Sequence, residues 1–392
     1  MEYDPYSYEL DEDPYPIYKW LRDEEPIYYN EKLDFWAVTR FEDCWNAYLD
    51  FETFSSARGT VLEIMESGFE AGPLMIFMDP PRQTRLRNLV NAAFTPRQIG
   101  DLEPKIREIA TGYLDTLVEK GSCDIVQEFT AKLPMDVIST LLGIPPSDRD
   151  MVREWSNTVL HRDPGNPNFT ERGIQAMGQL LEYFDGAIAE RRRQPRDDIM
   201  TLLIQAEVKD DDGSASRLSD EELRAFFNLL ATAGNETVTK LLATIYHLLF
   251  QYPDERKRLL DDPGLIPNAV DEALRFDPPS QYQGRMLTRD ASFHGVTVPK
   301  DAKFLILNAA SGRDERKYPD PDRFDVGRAV DVHLNFGWGR HLCLGKNLAL
   351  MESRIATEEF LKRFPEYEVP AGGVTRMHSS NVRGLSGLQL VY

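Results

Sequence analysis

The stretch Phe-Gly-Trp-Gly-Arg-His-Leu-Cys-Leu-Gly, residues 336–345, carries most of the information about the fold of this chain. It places Cys343 in a glycine-rich loop directly before a predicted helix. A helix start offers unpaired backbone N–H groups and the positive end of the helix dipole, so we expect a stabilised thiolate with a lowered pKa. Gly337 and Gly339 would let the loop fold tightly, and Gly345 would let a large flat ligand approach the helix.

Three interpretations of Cys343 are open at this point. A lone thiolate that faces a flat ligand is the arrangement by which a cysteine holds haem iron. A buried, inert cysteine at a helix start is the second interpretation. The third is zinc, but His341 and Cys343 would supply only two ligands, and no C-x-x-C or H-x-x-x-H pair completes the set.

A long buried helix precedes this loop in the chain. Ser219 and Glu222 form a predicted capping box, and the helical pattern runs from Asp220 to about Gln251. Such a helix is about 45 Å long, and its interior is apolar on nearly all sides, as in a central buried helix. Glycine at position 234 destabilises such a helix by about 1 kcal/mol relative to alanine. We therefore expect that a neighbouring group needs the space or that the helix is locally distorted there.

The rest of the chain predicts a mainly α fold with a smaller β part. Residues 34–40 and 285–310 and the C-terminal tail have strand-like patterns, whereas residues 41–50, most of 80–275 and 344–364 have helical ones. Neither a βαβ alternation nor a phosphate-binding glycine motif occurs, so nucleotide-dependent chemistry has no support.

Composition excludes several classes of protein. Among 392 residues, 45 are Lys or Arg and 65 are Asp or Glu, which gives a formal charge of −20 and argues against a nucleic-acid partner. The three cysteines are too few and too widely spaced for a disulfide framework. Because the first residues do not form a signal peptide and no apolar run is long enough for a membrane span, we expect a cytoplasmic protein without a membrane partner.

Residues 336–345 resemble the haem-binding signature of the cytochromes P-450, Phe-Gly-x-Gly-x-His-x-Cys-x-Gly, at every defined position. The resemblance extends over nearly the whole chain. It implies the cytochrome P-450 fold: a single domain, 1–392, mainly α with a small β subdomain, in which a long central helix lies over a haem.

Two further motifs agree with the resemblance. Glu272 and Arg275 fit the family's Glu-x-x-Arg, and Arg323 in Pro-Asp-Arg-Phe would complete a buried structural triad. On the central helix, Ala-Gly-Asn-Glu-Thr (233–237) resembles the oxygen-activation motif. It implies that Thr237 donates a hydrogen bond during oxygen activation and that Glu236 relays protons, where the helix opens near Gly234.

The resemblance also implies a cofactor, haem b (iron protoporphyrin IX), with Cys343 as the axial ligand of the iron. Its propionates would be bound by Arg87, Arg285 and His341. Gln83 replaces the histidine of many relatives and could still donate a hydrogen bond. The remaining expected haem contacts are Phe336, Gly337, Gly345 and Ala233.

The implied activity is a monooxygenase, which inserts one oxygen atom from O2 into a small or medium apolar organic substrate. Electrons would come from a separate ferredoxin and its reductase, and the ferredoxin would dock on the Cys343 side of a monomeric enzyme. Two alternatives are a haem-thiolate binding or sensor protein without turnover and a peroxide-driven oxygenase. The expected substrate pocket comprises Met75, Ile76, Phe77, Phe169, Leu230, Ala233, Gln281, Gln283, Asn381 and Val382.

Overall fold

A helix of 32 residues, Asp220–Gln251, runs through the interior of the protein in the computed structural model. The structure describes residues 1–67, 72–91, 94–160, 170–209 and 215–392. Its α-helices are α1 (Tyr8–Glu12), α2 (Tyr15–Glu24), α3 (Phe41–Leu49), α4 (Leu62–Ser67), α5 (Arg82–Asn91), α6 (Pro96–Gly100), α7 (Glu103–Asp115), α8 (Leu133–Leu142), α9 (Arg149–Leu160), α10 (Glu171–Arg193), α11 (Ile199–Gln205), α12 (Asp220–Gln251), α13 (Pro253–Asp261), α14 (Ile266–Phe276), α15 (Asn308–Ser311) and α16 (Lys346–Arg363).

The strands are short, and most of them lie near the two ends of the chain. They are β1 (Ile27–Asn30), β2 (Phe35–Val38), β3 (Phe54–Ser55), β4 (Ser122–Asp124), β5 (Val208–Lys209), β6 (Ala215–Ser216), β7 (Gln283–Leu287), β8 (Ala291–Phe293), β9 (Val296–Val298), β10 (Lys303–Ile306), β11 (Val374–Arg376) and β12 (Leu385–Val391). This distribution confirms the predicted mainly α fold with a small β part.

Helix α12 begins and ends where the sequence predicts. The Glu222 backbone N–H donates to Ser219 Oγ at 3.1 Å, and Glu222 Oε2 accepts from the Ser219 backbone N–H at 3.0 Å. These two bonds satisfy donors that a helix start otherwise leaves unpaired. The helix stops before Pro253, which begins α13. None of the described helices is long and apolar enough to cross a membrane.

The predicted opening of α12 near Gly234 is wrong in this structure. The helix continues without a break through residues 233–237, and the Thr237 hydroxyl donates to the Ala233 carbonyl at 3.2 Å, which keeps this turn closed. A Cβ on Gly234 would meet Ile138 of α8 at 3.7 Å, an ordinary contact distance. Close packing therefore does not require glycine at this position.

Helix α16 packs on α12 on the side of the cysteine loop. The Tyr246 and Phe360 rings stack with centroids 4.0 Å apart, and both side chains are fully buried. Burial of an aromatic side chain of this size contributes about 1.5–3 kcal/mol to stability. The contact therefore fixes the distance between the central helix and the helix that follows Cys343.

A five-stranded sheet in the order β1-β2-β10-β7-β3 lies beside the helical core. Strands β2 and β10 pair in parallel, with Ala37 opposite Leu305, and the other neighbours are antiparallel. Strands β11, β12 and β4 form a second sheet, which joins the C-terminal tail to the helical part. The sheet carries β7, and thus Arg285, toward the cysteine loop.

The buried charge cluster at Glu272 corrects one prediction. Arg275 Nε and Nη2 donate to the two Glu272 oxygens at 2.7 and 2.8 Å, and both side chains are fully buried. The third member is Arg328, whose Nε lies 3.1 Å from Glu272 Oε1. The predicted member, Arg323, is 63% exposed and lies near Asp325, because its backbone carbonyl, not its side chain, turns inward toward Arg275.

Candidate active site

The cysteine loop, residues 336–345, is shaped by its own backbone. The Cys343 backbone N–H donates to the Phe336 carbonyl at 2.8 Å. Gly337 and Gly339 have φ angles of +67° and +66°, a region that favours glycine. A Cβ on Gly339 would lie 3.0 Å from the Tyr48 carbonyl oxygen. The loop leads into α16 with Gly345 at the N-cap, as the sequence predicts.

The pKa of the Cys343 thiol is raised, which corrects the prediction of a lowered value. The largest cause is desolvation by the surrounding protein, which disfavours the charged form, although the side chain itself is exposed in this structure. The backbone N–H groups of Gly345 and Lys346 and the charge of Arg87 act in the opposite direction but do not outweigh burial. The helix start therefore supplies the expected N–H groups. A further positive charge is needed for the thiolate to be favoured over the thiol.

Two guanidinium groups near Cys343 have no carboxylate partner among the described residues. Arg285 on β7 is 4% exposed and donates to the Gly284 carbonyl at 2.7 Å, and burial lowers its pKa. Arg87 on α5 donates to Asn91 Oδ1 at 3.1 Å. Burial lowers the pKa of Arg87, whereas the nearby Cys343 acts in the opposite direction. Arg285 is thus a buried cation on which the charge of Asp79 acts without an ion pair, and Arg87 is half-buried, so an anionic ligand would stabilise both.

His341 is neutral at pH 7, so it adds no positive charge to the site. Burial, followed by the charges of Arg285 and Arg87, lowers its pKa to about 3, although a hydrogen bond with the Met78 backbone acts in the opposite direction. Its Nε2 atom is buried without a hydrogen-bond partner in the described parts of the chain. The imidazole therefore keeps one free polar atom for a ligand.

Gln83 supports the cysteine loop through its side-chain amide. Its Nε2 donates to the Arg340 carbonyl at 2.8 Å, and the side chain is 1% exposed. This bond joins α5 to the cysteine loop. The expected contact of Gln83 with haem stays a prediction, and the contact that the structure shows for its amide is with the cysteine loop.

One face of α12 carries Ala233, Glu236, Thr237 and Lys240, at a spacing that brings them together on one side of a helix. Ala233 is exposed although Ala231, Thr232 and Asn235 around it are buried. Lys240 Nζ lies 2.9 Å from Glu236 Oε1. The sequence analysis missed Lys240, which its i,i+4 spacing from Glu236 could have identified.

The expected pocket residues fall into two groups. Residues 280–283 and 379–383 pair with each other, since the Gln281 N–H donates to the Asn381 carbonyl at 2.8 Å and Ser280 bridges Val382. Met75, Ile76 and Phe77 form a short 3-10 turn before α5, with Met75 buried in the main core. Leu230 is half-buried on α12. Phe169 lies outside the described residues.

The amide of Gln281 is not available to a substrate. Its Oε1 accepts from the Tyr18 hydroxyl at 2.9 Å, and its Nε2 donates to the Pro278 carbonyl at 2.7 Å. Asn381 Oδ1 likewise accepts from the Tyr282 backbone N–H at 3.2 Å, and Gln283 Nε2 donates to Ser280 Oγ at 3.2 Å. These bonds hold the two segments together, and they occupy both ends of the Gln281 amide but only one polar atom each of Asn381 and Gln283.

The fold and this geometry define a class of protein. A cysteine in a glycine-rich loop lies at the start of α16, which packs on the long helix α12 that carries an acid–alcohol pair, and Arg285 and Arg87 lie close to the loop. This is the arrangement of a haem-thiolate oxygenase. Among the described residues, no group of three or more His, Cys, Asp or Glu side chains could hold a separate metal ion.

The chain belongs to the cytochrome P-450 family, whose model matches residues 46–262 and 264–384. A putative cytochrome P-450 123 of Mycobacterium tuberculosis is 41% identical over 390 residues, 99% of this chain and 96% of that protein. Vitamin D(3) 25-hydroxylase of Pseudonocardia autotrophica is 37% identical over 395 residues, 98% and 95% of the two chains. The crystal structure of CYP109E1 from Bacillus megaterium with corticosterone has a TM-score of 0.88 and 29% identity, covering 98% and 99%.

The resemblance seen in the sequence is thereby confirmed, and the protein is a cytochrome P-450 monooxygenase that uses haem, O2, an organic substrate and redox partners. The residues present fit a haem. Arg87 and Arg285 supply two cations without carboxylate partners, and His341 has an unpaired Nε2. A Cβ on Gly345 would meet no described protein atom within 4 Å, so no contact within the protein requires glycine at this position. The approach of a large flat ligand to the helix would require it.

Proposed function

We propose that Cys343 is the axial ligand of haem b in this enzyme, with Arg285 and Arg87 bound to the two propionates. When bound, the haem supplies the activation of O2 for insertion of one oxygen atom into the substrate, and the thiolate favours O–O cleavage. The positive iron also offsets the burial that raises the pKa of the Cys343 thiol. The residues expected to pack against the ring are Phe336, Gly337, Gly345 and Ala233.

The observation that carries this proposal is the pair of guanidinium groups, Arg285 and Arg87, close to His341 in the cysteine loop. Removing one partner of a buried ion pair costs about 3–5 kcal/mol, and Arg285 is in a comparable position without a carboxylate. Two carboxylates of one ligand would compensate both cations. An inert structural cysteine has no need of such neighbours, so their presence favours the haem-thiolate interpretation of the loop.

Replacing the sulfur tests the axial ligand. Cys343→Ser is expected to lose the carbon-monoxide difference spectrum of a thiolate-ligated haem, because a hydroxyl is a far weaker donor. Cys44→Ser is the matched control, since Cys44 is fully buried in a separate cluster with β2 and α3. An unaltered spectrum in Cys343→Ser would refute the proposal.

Glu236 and Thr237 are proposed to deliver protons. The Thr237 hydroxyl donates to the Ala233 carbonyl and therefore has its oxygen free to accept a hydrogen bond from the next donor in a relay. Glu236 is half-buried, which lets its carboxylate exchange protons with solvent. Thr237→Ala should divert electrons from product to hydrogen peroxide, and full coupling of electrons to product in this variant would refute the role of Thr237 in proton delivery.

The substrate class is proposed to be a medium-sized, mainly apolar polycycle such as a steroid. The relatives named for vitamin D(3) and crystallised with corticosterone support this class. Within this chain, both ends of the Gln281 amide and the Asn381 Oδ1 atom are bonded internally, which favours a mainly apolar ligand. Corticosterone should shift the Soret band toward the high-spin form, and an equal or larger shift with a linear fatty acid would contradict the steroid class.

The redox partner is proposed to be an acidic ferredoxin that docks beside the cysteine loop. Arg82, Arg97, Arg340 and Lys346 lie on α5, α6, the loop and α16, and none forms an ion pair with a described carboxylate. A further cation on α16, Arg354, is neutralised by Glu103 and Glu358, each at 2.8 Å. Reversing Arg340 and Lys346 to Glu should slow reduction by ferredoxin, whereas reversing Arg354 should have little effect.

A further inference from the structure

Lys240 connects the central helix to the C-terminal strand. Its side chain is 6% exposed, and its Nζ donates to the Leu385 carbonyl of β12 at 3.0 Å. The same Nζ lies 2.9 Å from Glu236 Oε1, one helical turn earlier. A buried ammonium group requires a carboxylate to offset the loss of hydration, and Glu236 is its ion-pair partner among the described residues.

The contact between Lys240 and β12 is built into the backbone. Gly384 precedes Leu385 and has a φ angle of +156°, which side chains rarely adopt. A Cβ on Gly384 would lie 2.5 Å from Lys240 Cβ and 2.8 Å from its Cγ. Only glycine therefore leaves room for the lysine stem, so the strand and the side chain fit as a unit.

This arrangement leaves Glu236 with one oxygen held and one free. Oε1 is bound by Lys240, whereas Oε2 makes no hydrogen bond with the described residues. A flexible carboxylate would sample many rotamers, so it would lose conformational entropy each time that it was ordered for a proton transfer. A carboxylate already fixed by an ion pair is preorganised for proton transfer.

We propose that Lys240 is a positioning residue that fixes the Glu236 carboxylate to the backbone of β12 and so sets the path by which protons reach Thr237. This rests on the relay role proposed above for Glu236. Since β12 follows directly after the turn that contains Asn381 and Val382, the same contact ties the relay acid to a wall of the expected substrate pocket.

The test compares Lys240→Met, Glu236→Gln and the double variant in the haem-loaded enzyme, with ferredoxin and its NADPH reductase as electron donors. The ratio of hydrogen peroxide to water formed from O2 should rise by about threefold or more in each single variant. The double variant should be no worse than Glu236→Gln alone, because Lys240 acts through Glu236. Lys240→Arg, which keeps the charge, should restore part of the wild-type ratio.

Thermal melting provides a second measurement that does not depend on turnover. The melting shifts of Lys240→Met and Glu236→Gln should not add in the double variant, since both remove the same ion pair. Lys257→Met is the control: Lys257 and Asp261 form an i,i+4 pair at the same distance, 2.9 Å, but with the lysine first and at an exposed site on α13. It should leave both the ratio and the melting temperature near wild type.

The outcomes separate this inference from the proposed function. If Glu236→Gln raises the peroxide ratio but Lys240→Met does not, the positioning role is wrong and the relay stands. Additive effects in the double variant would also overturn the positioning role, because Lys240 would then act independently of Glu236. If Glu236→Gln leaves the ratio unchanged, the relay itself is refuted, and the role of Lys240 with it.

Discussion

Arg328 Nε lies 3.1 Å from Glu272 Oε1, and this contact completes a buried cluster of one acid and two guanidinium groups. The Asp325 backbone N–H donates to the same Glu272 oxygen at 3.0 Å. Glu272 therefore fixes the loop after α15 to helix α14. The loop continues along the chain to the cysteine loop, so the cluster fixes the segment that leads to the candidate haem site.

The first prediction concerns the third member of this cluster. Arg328→Gln should lower the free energy of unfolding by about 3–5 kcal/mol, because it leaves part of the Glu272 charge buried without compensation. Arg323→Gln is the control and should change stability by no more than about 0.5 kcal/mol, as expected for an exposed side chain. Denaturant unfolding of the two variants measures both changes. A larger loss of stability in Arg323→Gln than in Arg328→Gln would show that Arg323 is the third member of the cluster.

The second prediction is a pH dependence that arises from Glu352 on α16. Burial raises its pKa well above the usual value, and its Oε2 has no partner among the described groups. Above about pH 4.5 the unfolded chain loses this proton while the folded chain keeps it, so stability falls as pH rises, by up to about 1.4 kcal/mol per pH unit. Glu352→Gln should therefore gain stability relative to wild type between pH 5 and pH 7.

Glu359 on the same helix provides a control of opposite sign. Although burial acts against it, hydrogen bonds from Lys362, Arg363 and Arg107 lower its pKa to about 2. Its contribution to stability is present above the unfolded pKa and is lost as the pH falls toward about 2. Glu359→Gln should thus be less stable than wild type at pH 7, with a difference that shrinks in acid. Parallel pH profiles for the two variants would contradict both assignments.

The third prediction concerns haem retention. Arg285→Gln should release haem to apomyoglobin about tenfold faster or more, because it removes a charge-assisted hydrogen bond to a propionate. Arg22→Gln is a suitable control, since Arg22 is also buried but donates to the Ala310 carbonyl, within a separate cluster. Equal release rates in the two variants would remove Arg285 from the haem site.

The fourth prediction separates structural from ligand-binding residues in the expected pocket. Gln281→Leu should lower stability by about 1–3 kcal/mol, because the Tyr18 hydroxyl and the Pro278 carbonyl lose their partner. Its corticosterone affinity, measured by Soret titration, should stay near wild type. Val382→Phe should have little effect on stability and weaken corticosterone binding. If corticosterone affinity falls in Gln281→Leu but not in Val382→Phe, the Gln281 amide contacts the ligand and this prediction is wrong.

Much of the fold could be predicted from local patterns. The capping box at Ser219 and Glu222 and the proline after Tyr252 set the bounds of α12, because these signals act within a few residues. The cysteine loop was equally clear, since glycines at positive φ and a helix start leave a local signature. Arg323 was misassigned because the Pro-Asp-Arg-Phe motif places it in the right loop, whereas only the path of that loop decides which arginine side chain turns inward toward Glu272.

The sequence by itself determined the fold class, the family and the cysteine on which the site depends, because each of these is recorded in residues close together in the chain. Only the tertiary structure decided the partners of buried groups. It assigned Arg328 to Glu272, the Gln83 amide to the Arg340 carbonyl and the Glu236 carboxylate to Lys240. It also showed a raised pKa for the Cys343 thiol, since burial depends on every element packed around a group and not on its neighbours in sequence.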